Sequence, residues 1–327
     1  MKRYAPSLVI AAAVAFTPLC AHAGWLTTLL DLDPEQGQLP ESVTTDPNGN
    51  LYMTMGSSVT TYTPGGQLTT IAALPVPAGV LANGVKYGPD DHLYIATGSL
   101  APEPPTSFIW RVSLEGDVEE FAALDPEGFP NDLIFADDGL MYVTDPLIGQ
   151  IWTVDSGGNP SVWIADELLT GNEEDPFLIL SHFGVDGIAL DKYEDYVYVS
   201  NLDYGQILRV PIEPDGSAGE LEVYVDDFDL LAGADGIAFD KNGSLYVAVN
   251  GQDRLAVVGP GGGCAYVFAE GPPLDAPSSV VFGETWQDRK TLYIASFAIT
   301  RAFGIFPGEP DPKLHKLSLW TPGLSLF

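Results

Sequence analysis

Short apolar runs separated by turn residues recur along the chain, and no segment carries a long amphipathic helical period. The clearest unit is Ala234-Asp235-Gly236-Ile237-Ala238-Phe239, then Asp240-Lys241-Asn242-Gly243, then Leu245-Tyr246-Val247-Ala248. It predicts a strand entered by a polar residue, a tight turn ending on glycine, and a second strand opened by Leu-Tyr. The phrase returns behind Asp186 with Val197-Tyr198, Asn131 with Met141-Tyr142, Asn83 with Leu93-Tyr94 and Glu41 with Leu51-Tyr52. A degenerate copy runs from Ser279 to Leu292-Tyr293.

The step from leading polar residue to tyrosine is 11 in the copies headed by Glu41, Asn83, Asn131 and Asp235, 12 for Asp186 and 14 for Ser279. Successive leaders lie 42, 48, 55, 49 and 44 residues apart. Short strands repeating at that period predict an all-β chain, a six-bladed β-propeller with one four-stranded sheet per repeat. The tyrosines are expected to pack between blades. Residues 25–32 read as a strand ahead of the first repeat, while the sixth repeat lacks a fourth strand after Leu314–Leu319. The N-terminal run is therefore expected to supply the outer strand of the last blade and close the ring. Residues 99–107, 166–182 and 270–278 read as insertions, and the latter two should cover the face on which the leaders lie.

Residues 1–23 read as a secretory signal. Lys2 and Arg3 precede an apolar stretch, and Ala21-His22-Ala23 offers a cleavage site. Residues 24–327 are then a single domain, secreted or periplasmic, with no membrane insertion after cleavage, and a monomer. After cleavage one cysteine remains, Cys264, expected to be a buried, inert thiol. Thirteen Lys and Arg against 45 Asp and Glu leave a net charge of −32, which excludes nucleic acid as a partner.

Each leader stands where the chain enters the innermost strand of its blade, so pseudo-symmetry brings Glu41, Asn83, Asn131, Asp186, Asp235 and Ser279 to one mouth of the central channel. Three carboxylates and two carboxamides on one axis repel one another and lose hydration. A hard cation such as Ca²⁺, which takes six to eight oxygen ligands, resolves that conflict. The alternative is that Asn and Asp here satisfy backbone groups at strand entry.

With Glu41 on the first inner strand, Phe129-Pro130-Asn131-Asp132, the blade-four leader Asp186 and Ala234-Asp235-Gly236, the chain resembles the regucalcin/gluconolactonase family of six-bladed propellers. The resemblance implies a divalent cation, usually Ca²⁺, held by Glu41, Asn131, Asp186 and Asp235, and a small-molecule lactone or ester as substrate. It implies Asp235 as general base or nucleophile and Asn83 beside the substrate. The blade-four position is commonly Asn in that family, and Asp186 here adds a third carboxylate, which makes an anionic substrate less welcome. Asp186 is a second candidate base, and His182, at the end of an insertion, a third. Asp132 either contacts or orients the site or serves strand entry. His92 and His315 are read as structural. No Gly-x-Ser-x-Gly nucleophile motif, phosphate loop or dinucleotide fingerprint is present, so a hydrolase reading is a metal-dependent one. The competing readings are a non-catalytic binding propeller with a structural metal, and a metal-free lyase of the strictosidine synthase type.

Overall fold

The computed structural model describes residues 25–100, 106–178 and 181–325. The proposed signal segment 1–23 and most of the 99–107 insertion lie outside them. Six four-stranded antiparallel sheets form the molecule, each innermost strand following its polar leader or containing it. The inner strands are Pro40–Thr45, Leu81–Tyr87, Leu133–Phe135, Val185–Leu190, Ala234–Phe239 and Pro277–Phe282. Short helices appear at Phe228–Leu231 and Ile299–Ala302. No described helix is long and apolar enough to cross a membrane.

The ring closes as the missing strand predicts. Leu26–Asp31 pairs antiparallel with Lys313–Ser318, with Leu26 opposite Leu317 and Asp31 opposite Lys313, and becomes the outer strand of blade six. Strands about 290 residues apart thus meet in one sheet, as Leu26 opposite Leu317 shows, which leaves no gap in the ring.

The outer strand of each blade is its most exposed. The inner strands Val185–Leu190 and Pro277–Phe282 are buried at every position, whereas outer strands such as Leu68–Ala73 alternate with solvent. The repeated tyrosines fill the seams between blades. Tyr94 meets Phe135 of the next inner strand edge-on at 5.0 Å, Tyr198 meets Phe239 at 4.9 Å and Tyr246 meets Phe282 at 5.4 Å. Edge-to-face contact suits the ring quadrupoles and adds to area burial. The hydroxyls of Tyr52, Tyr94 and Tyr293 donate to Asp46, Asp90 and Asp288 in the hairpin turns at 3.0–3.1 Å, so buried phenols keep a partner. In the Asp240 turn, Oδ1 accepts from Asn242 N and Ser244 N at 2.8 and 3.0 Å while Gly243 takes φ +84°.

A second device joins the blades near the axis. The hydroxyls of Thr54, Thr144 and Ser200 accept from the backbone N–H of Ser42, Asp132 and Gly187 on their own inner strands. Each then donates to the backbone carbonyl of the next leader, at 2.6 Å for Asn83 and 2.7 Å for Asp235 and shorter still for Asp186. Leader backbones are thereby held in register around the channel. Close approach also requires small residues: a Cβ on Gly187 would lie 2.3 Å from the Asp235 carbonyl oxygen, and one on Gly84 2.4 Å from that of Asn131.

One expectation fails here. Cys264 is exposed, because it ends the glycine-rich turn between the third and fourth strands of blade five, at the outer edge of the disc.

Candidate functional site

Antiparallel order places the strand-one entry and the connection between strands two and three on the same face. The first brings the leaders there and the second brings loops. Together they enclose a cavity of about 150 Å³. Among the described residues its polar lining is Glu41, Asn83, Asn131, Asp186, Asp235 and Asn250, and the others are Leu, Ile and Phe.

Five of the six leaders reach the cavity. Ser279 does not: it lies deeper in the channel, where Oγ accepts from Val43 N at 3.2 Å and joins blade six to blade one. Asn83 lines the cavity and its amide donates to the Pro130 carbonyl at 2.9 Å. Asp132 sits below the lining rather than in it, with Lys86 Nζ 3.0 Å from Oδ1 and Leu133 N donating to the same oxygen at 2.9 Å. His182 is outside the lining, near Asp203.

The carboxyl groups at the cavity floor are under strain from burial and from one another. Desolvation pushes Glu41, Asp186 and Asp235 well above the usual carboxylate range. Like charge adds to it: Asp186 and Asp132 act on Glu41, Asp235 and Asp132 on Asp186, and Glu41 on Asp235. Asp235 is the carboxyl that raises Asp186 most after desolvation. Asn131 Nδ2 donates to Asp186 in a short contact, and Asn250 Nδ2 donates to Asp235 Oδ2 at 3.1 Å. Lys86, from below, opposes the rise at Glu41.

Among the described residues no three His, Cys, Asp or Glu side chains form a ready-made metal-binding group. The donor chemistry nevertheless suits a hard cation. Every candidate ligand offers oxygen, and Glu41 Oε2 is buried without a hydrogen-bond partner. A buried carboxylate oxygen left unpaired is costly unless a proton or a cation meets it. As a ligand Asn131 would offer Oδ1, since Nδ2 is engaged with Asp186.

The walls rest on buried aspartates that the repeat pattern does not single out. Asp203 accepts from the backbone N–H of Asn172, Phe177 and Phe183, each at 2.9 Å, and so holds residues 172–178 and Phe183 beside the cavity. Asp145 accepts from Phe129 N at 2.7 Å, and burial raises its carboxyl to about 6. Arg301 pairs with Asp253 at 2.7 Å and, more closely, with Asp275, anchoring the short helix Ile299–Ala302. That helix belongs to the long connection between strands two and three of blade six. It supplies Ile299, with Phe297 and Phe303 on either side. Asn250 also went unforeseen, although it follows Tyr246 by four residues at the mouth-ward end of its strand.

The sequence model of the SMP-30/gluconolactonase/LRE-like region matches residues 42–226 and again 187–298. The chain belongs to this family. No curated protein matches it by sequence. Among solved structures it is similar to a gluconolactonase from Xanthomonas campestris, at 18% identity and TM-score 0.64, covering 91% of this chain and 90% of that one. It is similar also to the calcium-binding protein regucalcin from Agrobacterium tumefaciens, at 17% identity and TM-score 0.66, covering 88% and 92%. Virginiamycin B lyase from Staphylococcus aureus shares the fold too, at 14% identity and TM-score 0.58, covering 88% and 83%. Membership of the SMP-30/gluconolactonase/LRE-like family thus fixes the architecture, and a lyase on the same propeller shows that chemistry must be argued from the site.

Proposed function

We propose that this member of the family is a lactone or ester hydrolase that works with a divalent cation, Ca²⁺ by donor type, held by Glu41, Asn131, Asp186 and Asp235. The observation that carries the reading is the convergence of three buried carboxyl groups, one with an orphaned oxygen, at the floor of one cavity. Bound there, the cation would polarise the acyl oxygen and stabilise the charge that develops on it. The chain's own residues do the rest. Asn131 and Asn250 hold the Asp186 and Asp235 carboxyls in place. Asp235 takes a proton from water as its oxygen bonds to the acyl carbon. The ring or ester C–O bond then breaks, and the proton passes from Asp235 to the departing oxygen, giving a hydroxy acid or an acid and an alcohol. The Phe and Leu walls keep bulk water away from the carboxyls, so that charges act at short range in a poorly screening medium.

The family supports a lactone-directed reading, and the regucalcin likeness is in keeping with Ca²⁺. The reading of residues 1–23 as a secretory signal supports secretion or a periplasmic location, and closure of the ring by a strand of the same chain supports a monomer. The test is hydrolysis of a panel of small lactones and aryl esters by purified protein, with chelator, with Ca²⁺ restored, and with Asp235→Asn. Turnover lost to chelator, regained with Ca²⁺ and absent in the variant is the expected result. If no substrate turns over while chelator still lowers the melting temperature, the non-catalytic propeller with a structural metal replaces this reading.

A further inference from the structure

The cavity walls bear on the kind of substrate. Fifteen described residues line the cavity: six are polar and the other nine are Leu, Ile or Phe. Phe129 and Phe183 meet edge-on at 5.7 Å on one side, in one cluster with Leu202, which also lines the cavity. Phe297, Ile299 and Phe303 form another part of the wall. A sugar lactone carries hydroxyls around its ring. Against the described Leu, Ile and Phe lining each would give up water with no donor or acceptor in exchange, and an uncompensated buried hydroxyl is unfavourable. The carboxyl groups of Glu41, Asp186 and Asp235 similarly disfavour an anionic ligand. A cavity of about 150 Å³ is the size that admits a benzene ring.

We propose that the substrate is a neutral lactone with an alkyl or aryl substituent, its acyl group at the carboxylate floor and its hydrocarbon against Phe183, Phe297 and Phe303. This rests on the hydrolase reading and deepens it, since a polyhydroxylated lactone is what the walls select against. Phe303 is 58% exposed and lies at the rim, so a substituent that outgrows the cavity can emerge beside it. Phe303 and Ile299 are specificity-determining residues in this arrangement, and neither touches the carboxyls that carry the chemistry.

Binding and turnover separate the two layers of the argument. Lactams of the same ring and substituent keep the carbonyl but resist hydrolysis, so calorimetric titration of Ca²⁺-supplied protein reads the walls alone. Along a five-membered lactam series from methyl to butyl, affinity should rise about fourfold per methylene until the cavity is full. A polyhydroxylated lactam should bind more weakly than the butyl compound. The double variant Ile299→Ser/Phe303→Ser changes only half-buried and exposed positions, so its fold should survive. It should lose about tenfold in affinity for the butyl lactam and little for the polyhydroxylated one. A flat alkyl series, tighter binding of the polyhydroxylated lactam, or an unchanged double variant would overturn the proposal. Initial rates with the matching lactones answer the other question: tight lactam binding without lactone turnover would sink the hydrolase reading and leave the apolar specificity standing.

Discussion

Thr144 gives the sharpest test of how the ring holds its leaders. Its hydroxyl accepts from Asp132 N at 3.0 Å and donates to the Asp186 carbonyl of the next blade, and the residue is fully buried. Thr144→Val keeps the shape and deletes both bonds. It strands one buried N–H and withdraws the donor from one buried C=O. Each such loss costs about 1–3 kcal/mol, so the pair should amount to about 2–6 kcal/mol. For a domain of this size about 2–4 °C of melting temperature accompanies each kcal/mol. Urea denaturation followed by tryptophan fluorescence, with Thr144→Ser alongside, separates hydroxyl from methyl. Serine keeps both bonds and loses only a methyl group, about 1 kcal/mol. Valine must therefore be the more damaging substitution. If valine matches the wild type while serine destabilises, packing rather than the bridging hydroxyl holds the seam, and the argument for Ser200 and Thr54 falls with it.

Other expectations follow from the same geometry. Gly187→Ala pushes a methyl against the Asp235 carbonyl oxygen, 2.3 Å away, where only backbone could yield; it should destabilise by about 2–4 kcal/mol in the same denaturation assay. Arg301→Ala removes the partner of Asp253 and Asp275 and loosens the Ile299–Ala302 wall. Thermal unfolding should show a loss of about 1–3 kcal/mol, and any lactone turnover should show a larger change in KM than in kcat. His315 is fully buried, and desolvation with help from Lys313 lowers its imidazole to about 4. The folded state thus binds this proton less readily than the unfolded chain, for which about 6.5 is usual. Stability from this group is present above pH 6.5 and is lost as pH falls toward 4, by about 3 kcal/mol in all. Stability measured across that window should slope accordingly, and His315→Leu should flatten the slope.

The propeller was legible because the repeat imposes it. A turn aspartate and a seam tyrosine recur at nearly fixed spacing, and the unpaired N-terminal run found its place beside Lys313–Ser318. Equivalence by repeat also brought five leaders to one cavity, but it overreached at Ser279, whose hydroxyl serves Val43 in the channel instead. It could not rank neighbours either. Asp132 follows a leader directly, yet strand alternation turns it toward Lys86, away from the cavity. What periodicity misses is what does not repeat. The blade-six connection carrying Phe297, Ile299 and Phe303 spans residues 297–312, where the same link in blade one is residues 56–57. Asp145 and Asp203 matter through the backbone N–H groups they gather, a relation between loops that spacing does not encode. Cys264 failed for a different reason: cysteine's general preference for burial was overruled by its place in a turn at the disc edge.

The central claim is that Glu41, Asn131, Asp186 and Asp235 hold one divalent cation at the cavity floor. Calorimetric titration of Ca²⁺ into chelator-treated protein, repeated with Glu41→Gln and Asp186→Asn, tests it most directly. The account predicts one site per chain in the wild type, with affinity reduced at least tenfold in each variant. No binding in the wild type, or binding that both variants retain unchanged, would contradict it.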